Sequence, residues 1–128
     1  RTWFRPGLLC IGDSAHAMSP VGGVGINLAI QDAVASANIL AEPLRTGTAT
    51  TEMLAKVQKR RTFPTKMTQG MQLLIQDRVI GRVIGTAEKI GIPWPMSLFR
   101  RLPVLRRIPA RLIGVGFRPE HVRTPEIR

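Results

Sequence analysis

The stretch from Leu8 to Asn27 limits what this chain can fold into more than any other part of it. An apolar run, Leu8-Leu9-Cys10-Ile11, is broken by Gly12-Asp13, and a loop rich in Gly, Pro and Ser follows from Ser14 to Gly25. Apolar residues then recur at Ile26, Ile30, Ala33, Ala37 and Leu40. That spacing predicts a helix with one buried face that stops before Pro43. The order is strand, loop, helix. A single strand is not a sheet, so the unit requires further strands and a core alongside it.

From Thr46 the pattern becomes helical and is interrupted by prolines. Thr50 or Thr51 can cap a helix with Met53, Leu54 and Val57 inside and Lys56, Lys59, Arg60 and Arg61 opposite. Pro64 is expected to kink or break it. A second helix is expected through Met67, Met71, Leu74, Ile75, Val79 and Val83, ending at Gly91-Ile92-Pro93. Prolines at 93, 95, 103, 109 and 119 divide the tail into short amphipathic helices, with Ser97 a cap for residues 98–102. The expected fold class is mostly α. One strand–loop–helix unit from an α/β domain spans residues 1–45, and a helical C-terminal region with a basic tail spans 46–128. Because the chain opens on Arg1 and runs directly into an apolar segment, it is read as the C-terminal part of a longer protein.

The net charge of +11 is unevenly placed. Residues 1–50 carry three basic and three acidic groups, and residues 51–128 carry 16 basic and 5 acidic ones. The basic half suits a solvated face, whose acidic complement lies elsewhere in the protein, or peripheral contact with an anionic membrane. Arg100, Arg101, Arg106, Arg107 and Arg111, set among apolar residues, carry the membrane reading. Nucleic acid is not expected as a partner: there is no zinc-finger spacing, no aromatic RNA-binding motif and no tyrosine. Cys10 is the only cysteine and lies among apolar neighbours, which fits an inert thiol in a reducing, cytoplasmic setting. No continuous apolar run reaches the ~18 residues of a membrane span.

The chemistry is concentrated between Gly12 and Asn27. A carboxylate stands just past a strand end, and a glycine-rich loop leads into a helix. Glycines let a planar ligand approach the backbone, and a helix start offers unpaired N–H groups with about half a positive charge. Such a loop suits an anion or an electron-rich carbonyl edge, and Asp13 suits sugar-like hydroxyls. It is not a Walker A loop, since no lysine follows the glycines. Nor is it the dinucleotide fingerprint, because Leu28 occupies the third glycine position when counting starts at Gly23. Asp13 could instead cap the following turn, and Asn27 could be a helix-start residue.

Gly-Asp-Ser-Ala-His, then Pro-x-Gly-Gly-x-Gly-x-Asn, then a helix with Gln31-Asp32-Ala33, resembles the second flavin-contact motif of the FAD-dependent aromatic hydroxylases. The group includes para-hydroxybenzoate hydroxylase and the ubiquinone-biosynthesis hydroxylases. The likeness is tight over residues 8–41. It is looser beyond residue 45, where Phe63-Pro64-Thr65 and the Arg-Pro-Glu-His-Val tail look like the C-terminal helices of bacterial members. It implies that Gly12 and Asp13 lie at the ribityl part of FAD. The loop of Pro20, Gly22, Gly23, Val24, Gly25, Ile26 and Asn27 would run along the isoalloxazine ring, with Pro20 a pocket wall. It implies NAD(P)H as co-substrate and oxygen-dependent hydroxylation of an aromatic or polyprenyl-type substrate. Related flavoenzymes with the motif epoxidise, halogenate or reduce isoprenoid double bonds. His16 is read as framework rather than catalytic base, because the flavin performs the oxidation. Asp32 is read as a local hydrogen-bonding residue, and Met67 and Met71 as core or the lining of a substrate passage.

Overall fold

The computed structural model describes residues 1–20, 23–77 and 107–123. The chain opens with a two-stranded antiparallel hairpin, β1 (Phe4–Arg5) and β2 (Leu8–Leu9). Arg5 pairs with Leu8, leaving Pro6-Gly7 as a two-residue turn with Gly7 at φ 75°. Proline at the first turn position and a left-handed glycine at the second are what a type II turn requires. The strand expected over Leu8–Ile11 is therefore shorter and has a partner that the apolar run did not announce. A short 3-10 helix, Gly12–Ser14, follows it.

Helix α1 runs from Val24 to Arg45, through Pro43 rather than stopping before it. Pro43 removes only one intrahelical bond, close to an end where carbonyls lose their partners anyway. The helix ends instead at Thr46 and Gly47, the latter at φ 69°. By length and composition α1 is apolar enough to cross a membrane, although no unbroken apolar run of that length exists. The core helix of a soluble domain passes the same test.

The buried face of α1 is Val24, Leu28, Asp32, Ala35 and Leu40. This corrects the expected face, of which only Leu40 is buried; Ile26 is 71% exposed and Ile30 58%. The helix carries two apolar stripes on opposite sides, and periodicity chose the one that lacks Asp32.

Helix α2 is one continuous element, Thr51–Ile75, starting after Thr50 as expected. Pro64 neither breaks it nor lies on its surface, since its ring is fully buried. The hydroxyls of Thr62, Thr65 and Thr68 donate to the carbonyls of Gln58, Arg61 and Pro64, four residues back, and bracket the proline with side-chain bonds. Met53, Leu54 and Val57 face inward as expected, and Leu54, Val57 and Leu40 of α1 form the small core over the hairpin. Met67 is exposed and Met71 half-buried. Val79, Val83, the Gly91-Ile92-Pro93 stop and the Ser97 cap lie outside the described residues. Helix α3, Arg107–Gly114, holds Pro109 in its first turn, where proline is tolerated.

Arg61 departs furthest from expectation. It was placed on the outer face with Lys56, Lys59 and Arg60, yet it is completely buried. Its Nε donates to Asp32 Oδ1 at 2.7 Å, and its Nη1 donates to the Arg118 carbonyl at 3.2 Å and lies 3.6 Å from Glu120 Oε1. Arg60 donates through Nε and Nη2 to both oxygens of Glu120, at 2.6 and 3.1 Å. The tail segment 118–120 is thus clasped to α2. Asn38 and Gln31 of α1 hold the residues on either side of it through His121, Arg123 and Val115.

Burial alone would raise the Asp32 carboxyl. Hydrogen bonds from His16, Arg61 and the Gly12 amide outweigh it and hold Asp32 below the usual carboxylate range. A lowered folded-state pKa contributes stability above the ordinary value of 3.8, lost as pH falls through the lower folded value. Arg61→Met leaves Asp32 buried without its main cation and should cost about 3–5 kcal/mol in denaturant unfolding. It should also move the acid-unfolding midpoint upward. A variant with unchanged stability and acid midpoint would show that Asp32 does not depend on Arg61.

Candidate functional site

The 3-10 turn, the loop and the first turns of α1 enclose a cleft of about 550 Å³, lined by Ile11, Gly12, Asp13, Met18, Ser19, Pro20, Gly23, Gly25, Ile26, Ala29 and Ile30. Six of the residues singled out from sequence come together there: Gly12, Asp13, Pro20, Gly23, Gly25 and Ile26. Three do not. Gly22 lies outside the described residues. Val24 is buried in the core and does not line the cleft. Asn27 is the fourth residue of α1 and donates from Nδ2 to the Gly114 carbonyl at 3.3 Å, so it links α1 to α3 rather than starting the helix.

Two glycines are required by geometry. Gly12 sits at φ 59°, and a Cβ there would lie 3.0 Å from the Ala29 Cβ, so the backbone of the turn rests directly against α1. Gly23 adopts φ 63° at the head of α1, a left-handed conformation that lets the loop turn into the helix. No side chain caps that helix start. Its amides and positive dipole end stand beside the cleft, which is lined there by Gly23 and Gly25.

Asp13 is exposed at the cleft and accepts no hydrogen bond from the described residues. Ser14 Oγ, the neighbouring side chain, donates to the Ile11 carbonyl at 2.7 Å. Ile26, Ala29 and Ile30 give the cleft an apolar floor. The donor set is thus a free carboxylate, a helix start without a side-chain cap, and an apolar wall for a flat ring. It fits a flavin, with acceptor at the polyol and donors at the electron-rich edge.

His16 is away from this cleft. It is buried, its Nε2 lies 2.6 Å from Asp32 Oδ2, and its ring stands 4.9 Å from that of Trp3. Asp32 Oδ2 also accepts from the Gly12 amide at 3.1 Å. The bonds of Asp32 span 16, 20 and 29 residues, so the expectation of a local role is corrected: it joins three separate segments. Arg61 was missed as a partner because an arginine amid Lys56, Lys59 and Arg60 carries no mark of burial. Among the described residues no cluster of His, Cys, Asp or Glu suits a metal ion.

Gly12→Val puts a β-branched side chain into a left-handed backbone and against Ala29. It should destabilise the fold by about 1–3 kcal/mol in denaturant unfolding. An unchanged midpoint would mean that the turn can move off α1 at no cost.

Residues 1–71 match the family model described as FAD binding domain. The chain is 41% identical over 127 residues to 6-methylpretetramide 4-monooxygenase of Streptomyces rimosus, covering 97% of this chain and 29% of that protein. It is 34% identical over 127 residues to the FAD-dependent monooxygenase atmM of Aspergillus flavus, covering 92% and 26%. Over 70 residues it is 44% identical to the FAD-dependent monooxygenase idtM of Claviceps paspali, covering 48% and 14%. The chain therefore spans less than a third of the length of these relatives. No solved structure gives a significant match. The match over 1–71 ends inside α2 and takes in the whole cleft, with the turn, loop and helix that build it; the chain belongs to the FAD-binding domain family, and its cofactor is FAD.

Proposed function

We propose that this chain is part of a flavin-dependent monooxygenase, its first 45 residues completing an α/β FAD-binding domain. The observation that carries the reading is one cleft in which the Asp13 carboxylate, the left-handed Gly23 at the head of α1 and an apolar floor meet. The monooxygenase names of the relatives favour insertion of one oxygen atom, as in hydroxylation or epoxidation, over halogenation or double-bond reduction. The substrate class is aromatic or polyprenyl-type, and the co-substrate is NAD(P)H.

When bound, FAD would supply the redox chemistry between NAD(P)H and oxygen. The chain's own residues bind and orient. Asp13 accepts hydrogen bonds from the ribityl hydroxyls. The amides around Gly23 and Gly25, at the positive end of α1, favour negative charge on the pyrimidine edge, a contribution that grows where water is excluded. Pro20 and Met18 wall the cleft, and Ile26 and Ile30 give the ring an apolar floor. His16 keeps its framework role, since Asp32 holds its Nε2 on the far side of the turn.

Asp13→Ala in the FAD-loaded protein should weaken flavin binding by about ten- to a hundredfold, the loss of charge-assisted bonds worth ~1.5–3 kcal/mol, with the fold intact. Fluorescence titration of the apoprotein with FAD measures it. Unchanged affinity in a folded variant would reassign Asp13 and sink the flavin placement.

We also propose a cytoplasmic enzyme that touches the membrane surface through its basic C-terminal half. Arg107 and Arg111 of α3 are exposed, as is Ile113, and they supply the basic and apolar groups such contact needs. Arg100, Arg101 and Arg106 lie outside the described residues. The protein should sediment with anionic but not neutral vesicles at low salt, and lose that binding when the five arginines are replaced. No sedimentation with anionic vesicles would leave the arginines as a solvated face.

A further inference from the structure

The loop that walls the cleft is held from behind by a helix outside the flavin motif. Three glutamines of α2 and its C-terminal end, Gln69, Gln72 and Gln76, point at residues 17–19. Gln72 is buried at 4% exposure and donates from Nε2 to the Ser19 carbonyl at 2.8 Å. Gln76 donates to the Ser19 hydroxyl at 2.6 Å, and Gln69 reaches the Ala17 carbonyl at 3.5 Å, the limit of a hydrogen bond. Met18, Ser19 and Pro20 all line the cleft, and the Met18 Cβ stands 3.8 Å from where a Cβ of Gly25 would be.

We propose that Gln72, assisted by Gln76, is a positioning residue for the flavin: through Ser19 it sets how far the Met18–Pro20 wall stands from the head of α1. This rests on the flavin placement above. A buried amide whose donor meets a backbone carbonyl is costly to leave unmatched, so Gln72 and the loop must move together. Upstream the loop is anchored by His16 on Asp32, one residue before Ala17. The glutamines supply the second anchor, and between them the backbone of 17–19 has little freedom.

The test is Gln72→Met in the FAD-loaded protein, an unbranched replacement that keeps side-chain length and removes the donor. FAD affinity should fall about three- to tenfold, the worth of one neutral hydrogen bond, and the visible absorption band of bound flavin should shift. Thr68→Val is the control. It deletes the buried α2 hydroxyl that bonds the Pro64 carbonyl and does not reach the loop, so it should lower the Tm without moving affinity or spectrum. Should Gln72→Met fail to fold, Gln76→Leu and Ser19→Ala remove the neighbouring bond from either side and should each shift the flavin band in the same direction. Wild-type protein that binds FAD, with affinity and spectrum unchanged in the folded glutamine and serine variants, overturns the positioning role alone. Full-length wild-type protein, with the region missing from this chain, that binds no FAD overturns the flavin placement and this inference with it.

Discussion

The fold hangs on a carboxylate in the wrong solvent. Asp32 is 1% exposed, and a buried charge is tolerable only when paired and hydrogen-bonded. It accepts from the Gly12 amide before the loop, from His16 within it and from Arg61 on α2. No two of these donors are neighbours in sequence. Each must be delivered by its own element, so turn, loop and second helix are located together or not at all. Arg61, once inside, has donors left over, and they draw in the Arg118 carbonyl and Gln31. The tail is held to α2 as a consequence, with Glu120 balancing the Arg60 and Arg61 pair.

That arrangement places the cleft without contributing a side chain to it. Asp32, His16 and Arg61 all lie behind the turn, and what they fix is where Gly12 rests on Ala29 and where the loop leaves the turn. Asp13, the next residue, is left at the cleft with its carboxylate unclaimed by the described protein groups. The division is physically sensible. A group that must bind ligand cannot also satisfy the framework, so adjacent residues divide the work, Gly12 facing inward and Asp13 outward.

Much of the site was legible along the chain because its elements are contiguous. Gly12-Asp13, the glycines and the first turns of the following helix lie between residues 12 and 30, close enough in sequence for one motif likeness to mark the cleft's frame. Pro6-Gly7 is also a turn signal, but the strand it joins to Leu8-Leu9 is only Phe4-Arg5, two residues that are too few for an alternating pattern to show. The two prolines misled in the opposite direction. Pro43 and Pro64 were given their usual weight as helix breakers, but one falls in a last turn and the other is buried in a helix whose threonine hydroxyls bond the neighbouring carbonyls.

By itself the sequence determined a mostly helical chain and the strand-to-helix motif, because hydrophobic period and glycine freedom act over a few residues, and its likeness to the flavin motif singled out Gly12, Asp13, Pro20, Gly23, Gly25 and Ile26 among the residues around the cleft. Only the tertiary structure decided which side of α1 is inside, since that helix has apolar stripes on both sides and the buried one carries Asp32. It alone took Arg61 out of a run of solvated cations, and it alone turned three scattered glutamines toward one loop. Charge pairing and amide satisfaction across 29 and 53 residues are set by which elements meet, and nothing in the local spacing of either partner records the meeting.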